Sequence, residues 1–156
     1  MKRTIARTTL LIVTFAMFCM SMASAAHAQY NHCSTAALAG KWGFTLTGTL
    51  LLPSGPVPAA AVGIATADMD GNISVIEARS VGGGFADETG IGTWTVNPDC
   101  TGTLNINFYE SGQLVRTSVT SIVFDDNRQF RMVQQSLTLP DGTVLPVVIL
   151  IDGKRQ

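Results

Sequence analysis

From residue 41 onward the chain is cut at short intervals by turn chemistry, and that punctuation limits what it can fold into. The breaks are Pro53-Ser54-Gly55-Pro56, Asp70-Gly71-Asn72, Gly82-Gly83-Gly84, Asn97-Pro98-Asp99, Glu110-Ser111-Gly112, Asp125-Asp126-Asn127 and Pro140-Asp141-Gly142. Each joins residues that accept positive φ or preset a turn to short polar side chains that bond their own backbone. Eight runs lie between them, over 41–52, 57–68, 72–81, 89–97, 101–110, 113–124, 128–138 and 143–151. None carries a helical period of useful length.

Within the runs the period is two. Trp42, Phe44, Leu46 and Leu50 share one face of the first, with Thr45, Thr47 and Thr49 on the other. The fifth sets Leu104, Ile106 and Phe108 against Thr103, Asn105, Asn107 and Tyr109. Such alternation marks half-buried strands. The last run, Val144 to Ile151, is apolar on both faces, as in a strand covered on both sides or one whose outer face meets a partner. Pro146 removes a ladder donor from it and suits an edge or closure position. Strands joined by short turns, with no helix to cover a sheet face, must hide their edges. An all-β, single antiparallel up-and-down barrel of about eight strands does so with the fewest assumptions, its interior filled by side chains or one small ligand. A two-sheet sandwich is the alternative.

The segment ahead of the barrel reads as an export signal. Lys2, Arg3 and Arg7 precede an apolar stretch from Leu10 to Met20 and the small-x-small site Ala26-His27-Ala28. The stretch is short for a membrane span and no second one follows, so no transmembrane segment is expected after cleavage. The organisation expected is a signal peptide over 1–28, an N-terminal segment over 29–40, the barrel over 41–152 and a C-terminal tail over 153–156, in a secreted or periplasmic protein. Cleavage leaves seven Lys and Arg against eleven Asp and Glu, a net charge of −4. A mildly acidic chain without a basic cluster is poorly suited to nucleic acid. Cys19 leaves with the signal, and no lipoprotein cleavage triplet precedes it. Cys33 and Cys100, an even pair in an oxidising compartment, most simply form one disulfide. A redox or metal role for them lacks a C-x-x-C and neighbouring histidines. Ser34 or Thr35 is placed to cap a turn of helix over residues 33–39.

Two stretches resemble known families. Gly40-Lys41-Trp42, followed by Gly43-Phe44-Thr45-Leu46, resembles the Gly-x-Trp signature of lipocalins, which implies a Trp closing the barrel base and an Arg stacked on it, for which Arg155 is the candidate. Cys33 with Leu38-Ala39-Gly40 and Trp42-Gly43-Phe44, together with Gly92-Thr93-Trp94-Thr95-Val96-Asn97-Pro98-Asp99-Cys100-Thr101-Gly102-Thr103-Leu104, looks like a family of small secreted bacterial proteins with no assigned activity. That resemblance implies the disulfide and a secreted barrel, and no catalytic residue. The allene oxide cyclase barrels are similar in architecture alone.

Chemistry is sparse. Asp68-Met69-Asp70-Gly71-Asn72 with Glu77 echoes a calcium loop, but a hairpin turn accounts for it, and no metal is expected. His32 is the one histidine left after cleavage, which removes a histidine metal cluster and leaves no convincing triad, so no catalytic residue is assigned. Val81-Gly82-Gly83-Gly84-Phe85 reads as a flexible loop with no helix behind it to hold phosphate. No cofactor is implied.

Glu77, Arg79, Arg116, Arg131, Gln134 and Gln135 interrupt β-forming runs. Facing inward they would give an apolar cavity a polar floor; facing outward they would form a solvated face. Glu77 with Arg116 would make a partly buried ion pair. The aromatic candidates for a cavity wall are Trp42, Trp94, Phe44, Phe108, Phe124 and Phe130, with core packing as the alternative use. The functional reading is a non-enzymatic binder of one small, largely apolar ligand, with Trp42, Phe44, Phe108 and Phe130 as walls, Arg116 or Glu77 as the polar anchor and Arg79 as a further ligand-binding residue. The alternatives are a cyclase-like enzyme using Glu77 or Arg116, and a solid barrel acting through its exterior. An outer-membrane barrel is disfavoured because Thr45, Thr47, Thr49, Asn105 and Asn107 sit where an apolar band is needed. Interior volume separates these readings: a cavity below about 300 Å³ would rule out a drug-sized ligand and leave the exterior-acting reading. Mass spectrometry of the exported product should show a mature N-terminus at Gln29; a product retaining residues 1–28 would contradict the signal reading.

Overall fold

The computed structural model describes residues 33–125 and 127–156; the expected signal peptide and His32 lie outside them. Among the described residues one short helix, α1 (Thr35–Leu38), precedes nine strands: β1 (Gly40–Leu52), β2 (Gly55–Ala67), β3 (Asn72–Val81), β4 (Gly84–Val96), β5 (Thr101–Glu110), β6 (Gln113–Asp125), β7 (Gln129–Thr138), β8 (Val144–Leu145) and β9 (Val147–Arg155). Each strand from β1 to β7 pairs antiparallel with its successor, and β9 pairs with both β7 and β1, closing the sheet. The result is an eight-stranded antiparallel barrel with one two-residue extra strand, β8, against β7. β8 and β9 are a single run interrupted at Pro146, whose carbonyl still accepts from Leu51 N at 2.8 Å. Proline thus sits at the closure of the barrel, where a missing donor is tolerated.

The alternation read from the sequence sets the inside. Trp42, Leu104, Ile106, Phe108, Ile122, Phe124, Phe130 and Ile149 are buried within the barrel. Thr45, Thr47, Asn105 and Arg131 are exposed outside, and so are Val148 and Leu150 of the doubly apolar run. No described helix is long and apolar enough to cross a membrane.

The boundaries differ most from expectation at β4 and β9. β4 begins at Gly84, because Gly82 (φ 57°) and Gly83 (φ 87°) form a tight two-residue turn in place of the flexible glycine loop. β9 continues to Arg155, so most of the expected tail at 153–156 is strand. It is held there by Arg155 N donating to Arg128 O at 2.8 Å. Asp68 closes the β2–β3 turn as a hairpin device. Its Oδ1 accepts from Asp70 N and Asn72 N, and its Oδ2 from Asn72 Nδ2 at 2.8 Å. The Asn72 side chain is the largest influence holding the Asp68 carboxyl below its ordinary range.

One end of the barrel is plugged. Ser34 caps α1 by accepting from Ala37 N at 3.1 Å, and Leu38 is fully buried beneath it. Trp42 donates from Nε1 to Leu38 O at 3.1 Å and packs on Phe124 and Phe130, with both ring centroids at 5.5 Å. Trp94 continues the cluster against Phe124. Arg155, the Cα partner of Trp42 across β1 and β9, holds its guanidinium 5.5 Å from the Trp42 ring centroid. It also donates to Ala39 O at 2.6 Å. This Arg–Trp arrangement is the one expected of Arg155. Cys33 and Cys100 are disulfide-bonded with Cα atoms 4.9 Å apart, tying α1 to the β4–β5 turn across 67 residues of sequence. Loss of the crosslink by Cys33→Ser is expected to lower stability by about 2–4 kcal/mol in denaturant unfolding. Alkylation of the unreduced protein should find neither thiol; two reactive thiols would contradict the bond.

Candidate functional site

The opposite end, bounded by the β1–β2, β3–β4, β5–β6 and β7–β8 connections, leads into a cavity of about 200 Å³. Its existence depends on where bulk is placed along the strands. Phe44 lies across from Gly63 and Gly153, Phe108 across from Gly90, and Phe130 across from Gly153. A Cβ at Gly90 would come within 2.8 Å of Ile106 Cγ2 and 3.2 Å of Phe108 Cε1. Glycine opposite each ring lets the aromatic lie flat against the sheet, so the rings form walls without filling the lumen. Small Ala59, Ala61 and Ala65 keep the β2 side open, and the rest of the apolar lining includes Val75, Leu104, Ile106, Met132, Ile149 and Ile151.

Of the sequence candidates, Phe44, Glu77, Arg79, Phe108, Arg116 and Phe130 border the cavity, as does Gln134. Trp42, Trp94 and Phe124 do not: they belong to the plug beneath it, so Trp42 closes the base and is not a wall residue. Arg131 and Gln135 face outward.

The polar side of the cavity is a buried ion network. Glu77 on β3 and Glu88 on β4 are direct Cα partners, and both are almost completely buried. Two carboxylates opposed on one face repel. Arg116 resolves this from β6: its Nη2 donates to Glu77 Oε1 at 2.6 Å and its Nη1 to Glu88 Oε2. The guanidinium crosses the barrel wall over Phe108, 3.9 Å from the ring centroid. Arg79 donates from Nε to Glu88 Oε1 and reaches Glu110 Oε2 at 3.4 Å near the mouth. Burial pushes the Glu77 carboxyl above its ordinary value; Arg116 opposes that shift and Glu88 adds to it. Ser118, Thr120 and Gln134 extend the polar strip along β6 and β7, with Gln134 Nε2 donating to Ser136 O at 3.0 Å.

Glu88, Glu110, Ser118 and Thr120 escaped the sequence reading. Glu88 carried a usable signal: pairing the strands across a two-residue turn at Gly82–Gly83 places it opposite Glu77. Arg116 depends on a β-bulge. The register shifts between Phe108 and Tyr109, leaving Val115 without a partner, so Val115 and Arg116 both border the cavity.

No family model and no curated protein sequence matches this chain. Among solved structures it is similar to the barrel EF1p2_mFAP2b, described as bound to DFHBI. The TM-score is 0.54 at 16% identity, covering 77% of this chain and 94% of that one. The redesigned β-barrel mFAP0, also bound to DFHBI, aligns at 21% identity over 76% of this chain and 99% of its own, with a TM-score of 0.49. The first likeness establishes the class: a closed small β-barrel.

Removing Arg116 would leave Glu77 and Glu88 opposed without their shared cation. Arg116→Ala is expected to cost about 3–5 kcal/mol in denaturant unfolding. The raised Glu77 carboxyl predicts a pH effect of definite sign. A folded-state value above the unfolded one means that the folded protein holds the extra proton. Glu77's contribution to stability is therefore greatest below its unfolded value and falls as pH rises through its folded value. Wild type should lose stability relative to Glu77→Gln as pH is raised through this window; a difference that does not vary with pH would contradict it.

Proposed function

We propose that the barrel binds one compact small molecule, with an apolar body inside the lumen and a polar end against the Glu77–Arg116–Glu88 network. The observation that carries this reading is the cavity itself: open at one end, plugged at the other, and apolar except for one strip of buried charge. Its 200 Å³ lies below the roughly 300 Å³ threshold, which rules out a drug-sized ligand; a smaller one still fits, since roughly 150 Å³ suffices for benzene. The ligand is therefore about the size of one or two small rings. The binding of DFHBI by the similar barrel is compatible with this use of the fold and identifies no ligand here. We also take the protein to act outside the cytoplasm, on the strength of its N-terminal pattern and paired cysteines.

A catalytic use of the same cavity has less support, since both oxygens of Glu88 and both terminal nitrogens of Arg116 are engaged in ion pairs. An exterior role draws on the apolar outer face: Ile64 and Ile76 are Cα partners there with Ile76 70% exposed, and Val144, Val148 and Leu150 of the doubly apolar run are exposed as well.

Native mass spectrometry of protein isolated from its own source should find a one-to-one noncovalent adduct of a small molecule. Ala61→Phe, which places a ring in the lumen, should abolish the adduct while leaving the far-ultraviolet circular dichroism of a β protein unchanged. Equal occupancy in Ala61→Phe would contradict an interior site.

A further inference from the structure

The geometry points to a ligand whose polar end is a cation: a compact amine, held by its ammonium group at Glu77. This rests on the binding reading above and adds the chemical class. Glu77 is 3% exposed and lines the cavity. Its Oε1 is taken by Arg116, while no described residue donates to its Oε2. Among the described residues every fully buried side-chain oxygen or nitrogen has a partner, so an unpartnered Oε2 has to be reachable by solvent. Inside a closed barrel, the space that reaches it is the cavity. A nearly buried carboxylate oxygen is thus left open toward the lumen.

Charge decides what would fill that position. The network holds three carboxylates, Glu77, Glu88 and Glu110, against two guanidinium groups, Arg79 and Arg116. Each guanidinium is already bonded to two of the carboxylates, so the positive charge that an anion would need is committed to the network even where a single N–H of Arg79 or Arg116 is unused. An incoming carboxylate would add a fourth negative group. An ammonium placed at Glu77 Oε2 does the reverse: it balances the excess and supplies the missing donor. The raised Glu77 carboxyl fits this arrangement, because Arg116 alone does not offset burial of the charge. The groups facing Glu77 are Arg79 on its own strand, Glu88 on β4 and Arg116 on β6, with Glu110 on β5 joined through Arg79. The apolar walls of Phe44, Ile106 and Phe108 are left for the body of the ligand.

The test is calorimetric titration of the intact, disulfide-bonded protein with three probes of nearly equal size: 2-phenylethylamine, 2-phenylethanol and phenylacetate. The amine is expected to bind roughly tenfold or more tightly than phenylacetate, with the alcohol between them. Its affinity should rise with pH as Glu77 loses its proton, while that of the alcohol stays flat. Glu77→Gln should bring amine and alcohol to equal affinity. The wild-type comparison stands even if this variant folds poorly. Phenylacetate binding tightest, or amine and alcohol binding equally to wild type, overturns the amine class and leaves the binding reading in place. Failure of all three probes and of benzene to bind overturns both.

Discussion

Glu77 and Glu88 face each other across neighbouring strands inside an apolar barrel, and one guanidinium from a third strand holds them there. Much of the interior follows from that contact. Arg116 can span from β6 to β3 only because Phe108 lies flat beneath it and Gly90 lets Phe108 do so. The bulge at Val115 then allows two consecutive residues to border the lumen. Had these positions been apolar, side chains packed across the same space would give a solid core. A charged strip that must be satisfied internally keeps that side of the barrel fixed and the lumen partly open.

The two ends of the barrel are built on different physics. At the plugged end, aromatic packing among Trp42, Trp94, Phe124 and Phe130 is locked by the Cys33–Cys100 disulfide and by Arg155 over Trp42. At the mouth, the connections are turns shaped by positive φ at Gly82, Gly83, Ser111 and Gly112. Burial is concentrated at the plug, so the mouth is the end expected to open first in local fluctuations.

The barrel was largely legible in the sequence because turn chemistry and period-two patterning are local signals. Trp42, Phe44 and Leu46 announce an inward face, and Asp68 through Asn72 a hairpin, without knowledge of distant residues. Arg155 over Trp42 was legible only through the resemblance to the Gly-x-Trp signature, as nothing near Arg155 points to β1. The site was half legible. Glu77, Arg79 and Arg116 stood out as charges within β-forming runs, but their direction depends on register. Glu88 lay hidden where three glycines read as a loop; as a two-residue turn they bring it directly opposite Glu77. Trp42 misled because an inward aromatic near a strand start serves a plug as readily as a wall. Cavity size was beyond reach, since it is set by cross-strand pairing of Phe44, Phe108 and Phe130 with distant glycines.

The central claim, that the lumen is a ligand site, is tested most directly by methyl-resolved nuclear magnetic resonance during titration with 2-phenylethanol. Shifts are expected at Val75, Leu104, Ile106 and Ile149, which line the cavity, with Val62, Ile64 and Ile76 on the outer face unmoved. Shifts confined to the outer-face methyls, or none at a saturating concentration, would contradict the account.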